Sequence, residues 1–160
     1  MMYREQYPAV RAYAAALTSA SDVDDVVAET FAVAWRRCAD IPTDWVRGWL
    51  LGTVRNVVRN GRRSMVRADR FVDRLSWLQG PFVVDDLADA VVDIDELRAG
   101  LGSLSDSDQE VLVLVAWFDL TPESLAVALG VSKNASAVRL HRARIRLRDS
   151  MNNATDEEVA

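Results

Sequence analysis

The stretch from Thr121 to Arg148, TPESLAVALGVSKNASAVRLHRARIRLR, constrains the fold more than any other part of the chain. It reads as two short helices with a tight turn between them. Thr121 is placed to cap the first helix. Pro122 then falls at the first helical position, where a missing N–H costs nothing. Leu125, Ala128 and Leu129 make one apolar face. Gly130 can take the left-handed conformation that stops the helix. Val131 fills the corner, and Ser132 can cap the second helix. That helix carries Lys133, Arg139, His141, Arg142, Arg144, Arg146 and Arg148. A helix–turn–helix whose second helix is this basic points to DNA contact. An ordinary helical hairpin has the same loop length and is the alternative.

At 160 residues the chain has room for one domain or two small ones. No apolar run is long enough to span a bilayer, and the start, MMYREQYPAV, lacks the apolar core of a secretory signal. The single cysteine, Cys38, rules out an internal disulfide framework and a Cys-based zinc cluster. It is expected as a small buried hydrophobe, in a cytoplasmic protein without membrane contact of its own.

The net charge of −5 argues against DNA only if it is spread evenly, and it is not. Arg55, Arg59, Arg62, Arg63, Arg67, Arg70 and Arg74 face only Asp69 and Asp73 within their stretch. Further on, Asp85, Asp86, Asp89, Asp93, Asp95, Glu96, Asp106, Asp108 and Glu110 stand against Arg98 alone. Two basic zones around an acidic middle suggest two nucleic-acid contact sites, joined by a segment that must not bind there.

The front half reads as three helices. In the first, about Tyr3 to Thr18, Tyr3, Tyr7, Val10, Ala14 and Leu17 recur at helical spacing, and Pro8 is expected to bend it or delay its start. The second opens with Ser21 and Asp24 as a capping box, and Asp22, Asp24 and Asp25 suit its positive end. Its apolar stripe is Val23, Val26, Val27, Phe31, Ala34, Trp35 and Cys38. Asp25, Glu29 and Arg36 lie away from that stripe, as a solvated face or a docking surface. Pro42 breaks the chain, and Thr43 can cap the third helix, from about Asp44 to Arg63. Its buried stripe is Val46, Trp49, Leu50, Thr53, Val54 and Val57. Arg47, Leu51, Arg55, Arg59 and Arg62 or Arg63 fall on another face, beside Asn56 and Asn60. An arginine row with neighbouring amides suits phosphate contact with some base contact, although such a row is also what a solvated helix shows. Trp49 is expected in the core. Trp45 fits the core or a stacking surface for an unpaired base.

The pattern weakens after Ala68. Phe71, Leu75, Trp77 and Leu78 allow a helical turn or two, which Gly80-Pro81 ends. The second half starts near Asp95, with a short helix of Leu97, Leu101 and Leu104 that Gly100 and Gly102 are expected to break. Ser105 and Asp108 form a second capping box. The apolar helix behind it holds Val111, Leu112, Leu114, Val115 and Phe118, with Trp117 near its end. It is expected to pack under the helix–turn–helix. The resulting expectation is an all-α chain of two small domains joined by an acidic linker. Residues 1–66 and 97–150 form the domains, 67–96 the linker and 151–160 a flexible tail.

No P-loop, GxSxG or HExxH is present, and the seven glycines are scattered. His141 has no second ligand for a metal. Neither catalysis, cofactor nor metal is expected.

The order of the pieces is specific: DVDDVVAETFAVAW, then WVRGWLLGTVRNVVRNGRR, an acidic stretch, LSDSDQEVLVL, and SLAVALGVSKNASAVRLHRAR. Together they resemble a bacterial RNA polymerase sigma factor of the extracytoplasmic-function group, from about Met2 to Arg148. The resemblance implies that the block Asp24 to Arg37, with Asp24, Asp25, Val27, Ala28, Glu29, Phe31 and Trp35, docks on core polymerase. It implies that the loop Cys38 to Asp44 and the helix with Arg55, Asn56, Arg59, Asn60, Arg62 and Arg63 melt and read the promoter element near the start site. There a flipped base is held by the loop. The last domain is implied to read the farther element as duplex, through Lys133, Asn134, Ala137, Val138, Arg139, His141, Arg142 and Arg144. An anti-sigma protein is the implied regulator. The recognition helix departs from the family, which often has a Gly-Thr-Val-Lys-Ser type sequence where this chain has Asn134-Ala135-Ser136-Ala137-Val138. Ala137 and Val138 can touch thymine methyls but cannot donate hydrogen bonds. The competing readings are a stand-alone dimeric helix–turn–helix regulator, which leaves the upstream block unexplained, and a helical adaptor that binds only protein.

Overall fold

Helices form wherever the apolar spacing is 3.6, and they meet along those stripes. A computed structural model of the chain describes residues 2–61 and 94–159, and every regular element among them is helical. Three helices make the first unit: α1 (Met2–Leu17), α2 (Val23–Arg36) and α3 (Val46–Asn60). Four make the second: α4 (Ile94–Gly102), α5 (Asp106–Ala116), α6 (Pro122–Leu129) and α7 (Lys133–Val159). The linker expectations, Arg62, Arg63 and the turn around Phe71 lie outside the described residues.

In the first unit α1, α2 and α3 pack pairwise on one another. Val10, Tyr13, Ala14 and Ala16 close on Val23, Val27 and Ala34, with Leu50, Leu51 and Val54 from α3. Pro8 sits inside α1 without delaying its start at Met2. The capping box expected at Ser21 and Asp24 is not formed. Asp22 precedes the first helical residue without a side-chain cap, and its carboxylate accepts from the Ser19 and Ser21 hydroxyls instead. Thr43 does not cap α3. It opens a short 3-10 turn, Thr43–Trp45, which leads into the helix.

In the second unit α4, α5 and α6 all pack on α7. Ser105 caps α5 as expected, accepting from the Asp108 N–H. Buried Gln109 donates to the Leu101 and Leu104 carbonyls, tying α5 to the end of α4. Gly100 does not break α4. It gives room to α7: a Cβ there would lie 2.9 Å from Met151 Cγ. That contact, and a 2.7 Å bond between the Ser103 and Ser150 hydroxyls, anchors α7 beyond Arg148. The helix continues to Val159 where a frayed tail was expected, since Met151 is buried and the last residues include good helix formers.

The two units do not have separate cores. One buried cluster runs through both, and α3 lies along α6. A Cβ at Gly48 would fall 2.3 Å from the Ser124 carbonyl oxygen, and one at Gly52 would fall 2.9 Å from that of Ala128. Two glycines four apart thus let the helix backbones touch. Burial that small separate domains cannot supply alone comes here from the joint.

Candidate nucleic-acid interface

The helix–turn–helix is built as its residue types require. Thr121 Oγ1 accepts from the Ser124 N–H, and Pro122 opens α6. Gly130 has φ 64° with open space around its Cα, so the backbone conformation, not crowding, demands glycine. Ser132 Oγ accepts from the Ala135 N–H at the start of α7. Ser136, Leu140, Ala143, Leu147 and Met151 are buried at steps of three and four, and they fix how α7 turns on the core.

Opposite that stripe, Asn134, Ala137, Val138, His141 and Arg142 are all exposed, spaced as one helix face. Lys133, Arg139 and Arg148 are exposed to either side of it. Val138 is 40% exposed and adds an apolar spot to this face. Not every base of α7 is free for DNA. Arg146 is held 2.6 Å from Asp108, and Arg144 is half-buried. Lys133 pairs with Glu123, and that hydrogen bond lowers the Glu123 pKa from its ordinary value.

The α3 arginines divide. Asn56, Arg59 and Asn60 are exposed, and Arg59 Nη2 donates to Asn56 Oδ1 at 3.0 Å. Arg47 and Arg55 are turned into the joint. Arg47 donates to Gln6 Oε1 at 3.0 Å and to the Phe118 carbonyl at 3.2 Å. Arg55 Nε donates to Glu110 Oε1 at 3.0 Å. Tyr13 Oη donates to the same Glu110 oxygen, and its ring meets Phe118 edge-on at 5.4 Å. Burial first, then the Glu110 charge and hydrogen bond, push the Tyr13 pKa well above the usual phenol value, with Arg55 opposing. The reason for this division is that Leu51, on the arginine face, is fully buried, and Gly48 and Gly52 beside it let α3 lie along α6. An outward row in the isolated helix is an interface row in the folded chain.

The loop before α3 is exposed at Cys38 and Thr43 to Trp45. Cys38 is therefore not the buried hydrophobe expected, because the Cys38–Asp40 3-10 turn leaves the path of α2. Trp45 is 37% exposed, and half-buried Trp49 lies under the Arg37 guanidinium at 5.9 Å.

On α2, Asp24, Asp25, Ala28 and Glu29 face solvent. Val27 is core, and Phe31 stacks among Tyr3 and Tyr7. Trp35, expected on the apolar stripe, is 85% exposed instead. It shares its side of α2 with Ala28 and Ala32, so an apolar patch borders the acidic row. Arg36 reaches back to Glu29 at 2.8 Å.

Sequence reading missed Tyr13, Glu110 and the Gly48–Gly52 pair. The signals were there: an acid inside QEVLVLVA, a tyrosine inside AYAAA, and glycines four apart in a helix. None of them says which element they meet.

Residues 2–68 match the family model for Sigma-70 region 2, and residues 94–147 match that for Sigma-70, region 4. The chain is 31% identical over 136 residues to the RNA polymerase sigma factor NccH of Alcaligenes xylosoxydans xylosoxydans, covering 79% of this chain and 72% of that one. It is likewise 31% identical over 139 residues to the RNA polymerase sigma factor CnrH of Cupriavidus metallidurans, with the same coverage. The solved structure of CnrH in complex with the cytosolic domain of CnrY is similar, with TM-score 0.60 and 25% identity over 94% of this chain and 85% of that one. The sigma factor RpoE in complex with the anti-sigma factor NepR from Bartonella quintana shares the fold, with TM-score 0.58 and 22% identity over 94% of both chains. The described residues are helical, with a helix–turn–helix in the second unit, and the two family matches together cover most of the chain, which makes it a transcription initiation factor. It belongs to the sigma-70 family, as a bacterial RNA polymerase sigma factor of the extracytoplasmic-function group. That is a polymerase-binding, promoter-directing family and not a class of enzyme.

Proposed function

We propose that α2 docks this sigma factor on core polymerase through Asp24, Asp25, Glu29 and the exposed Trp35. The observation that carries the docking surface is Trp35, a large ring left in water beside an acidic row, the kind of anchor that dominates protein interfaces. The exposed stripe of α7 reads the farther promoter element as duplex. Arg142 and Asn134 can make bidentate contacts to guanine and adenine, and Ala137 and Val138 offer apolar contact to thymine methyls. Asn56, Arg59, Asn60 and Trp45 meet the melted strand, where an aromatic face can stack on an unpaired base. Arg55 joins them once its partner in the joint releases it. Arg62 and Arg63 belong to the same row by sequence. The domains are 1–66 and 97–150, with 67–96 as connector.

The factor works in the cytoplasm, at the nucleoid, and an anti-sigma protein holds it inactive. RpoE of Bartonella quintana is seen with the anti-sigma factor NepR, and CnrH with the cytosolic domain of CnrY. Transcription in vitro with purified core polymerase on genomic fragments tests the reading. Promoter-specific transcripts that need this chain are expected. Binding to a palindromic site as a dimer, with no transcription, would instead favour a stand-alone regulator.

A further inference from the structure

The outer face of α7 has polar side chains at its two ends and an apolar one between them. Asn134, Val138 and Arg142 follow one another at steps of four, with Ala137 and His141 beside them, and all five are exposed. Lys133, next to Asn134, is engaged by Glu123. Val138 thus stands one turn from each of the two side chains that the reading above gives to adenine and guanine. Asn134 to Arg142 is about 12 Å of helix, roughly three to four base-pair steps. The valine falls over the middle of that span.

What Val138 can recognise is narrow. Its side chain has no donor or acceptor, so it does not distinguish the O4 of thymine from the N4 amino group of cytosine. In the major groove the feature left to an apolar group is the pyrimidine 5-methyl. Valine suits that contact, because its branched side chain keeps one preferred rotamer on a helix and its methyls are placed before DNA arrives. Ser136, Leu140, Ala143 and Leu147 are buried on the opposite side, which fixes the rotation of α7 and keeps Val138 outward.

We infer that Val138 is a specificity-determining residue, which reads a pyrimidine 5-methyl near the middle of the farther promoter element, and that this methyl, not the hydrogen-bonding edge of the pair, separates thymine from cytosine there. This rests on the proposed DNA contact of α7. It follows that 5-methylcytosine paired with guanine is accepted at that position in place of thymine.

The test uses holoenzyme assembled from core polymerase and the full chain. Duplexes are selected from a randomised library, and the enriched duplex is remade with uracil for one thymine at a time, a change that removes only the methyl. Competition binding compares each with its parent. One uracil in the farther element is expected to weaken binding about fourfold, the equivalent of one buried CH2 group. Cytosine at that position is expected to weaken it at least as much, and 5-methylcytosine to restore it. In Val138→Ala holoenzyme the same uracil is expected to make no difference, whereas in Arg142→Ala holoenzyme its penalty stays. Uracil tolerated at every position, a penalty that survives Val138→Ala, or 5-methylcytosine no better than cytosine would each overturn the inference. An enriched duplex that both variants bind as the wild type does would instead reject the DNA contact of α7 itself, whatever the response to uracil.

Discussion

Two helices of this protein carry arginine rows, and they meet opposite fates. On α7 the stripe from Asn134 to Arg142 faces water, because Leu140, Ala143 and Leu147 fix the other side against α4, α5 and α6. On α3 the row Arg47, Leu51, Arg55 faces a second unit, because Gly48 and Gly52 let α6 lie against it. The same pattern, a basic stripe at steps of three and four, is an open surface, the proposed DNA contact, in one case and a covered joint in the other. What decides is the residue between the arginines. A leucine and two glycines make the α3 face a packing surface, while α7 has asparagine, alanine and histidine there.

The sharpest way to break this comparison is within α7 itself. Leu147→Ala removes a fully buried side chain and is expected to destabilise the second unit by about 2–5 kcal/mol in thermal or denaturant unfolding. Val138→Ala, on the outer face, is expected to change stability by less than about 0.5 kcal/mol and to alter promoter preference at the base it touches. Similar melting shifts for the two would show that the faces are misassigned.

Between the two rows, Arg142→Ala is expected to weaken promoter binding by about 1–3 kcal/mol while core binding is kept. Arg55→Ala is expected to cost less, since Arg55 is half-buried and paired with Glu110 while Arg142 stands in water. Competition on promoter DNA with preassembled holoenzyme compares them, and a larger loss at Arg55 would reverse the ranking. On α2, Trp35→Ala is expected to weaken core binding by about 2 kcal/mol with no change in melting. Asp25 and Glu29 substitutions should act in the same direction and less strongly, and unaltered core affinity in all three would remove α2 as the docking surface. Gly130→Ala is expected to lose about 1 kcal/mol of stability from the positive φ alone, less than Leu147→Ala, read by chemical denaturation.

Much of this was legible before any coordinates. Thr121, Pro122, Gly130 and Ser132 punctuate the helix–turn–helix because each answers a local backbone requirement, and local requirements are written in neighbouring residues. Ser105 and Asp108 are of the same kind. Ser21 failed as a cap because α2 starts one residue later and the Ser21 hydroxyl is turned to the Asp22 carboxylate, which depends on the loop's path. Trp35 and Cys38 were placed in the core because apolar spacing continues past the point where α2 has left it. The continuation of α7 to Val159 turned on Met151 meeting Gly100, a contact between residues about fifty positions apart.

By itself the sequence determined the helices, the turn chemistry and the order of the two units, since all of these follow from spacing and from residues a few positions apart. The recognition stripe was determined almost as fully, because the buried residues of α7 leave it one outward face. Only the tertiary structure decided which arginines stay in water, that Glu110 meets Tyr13 and Arg55, and that two small units share one core. Those facts depend on surfaces from distant parts of the chain coming together, and periodicity tells that a face is basic or apolar without telling what will lie against it.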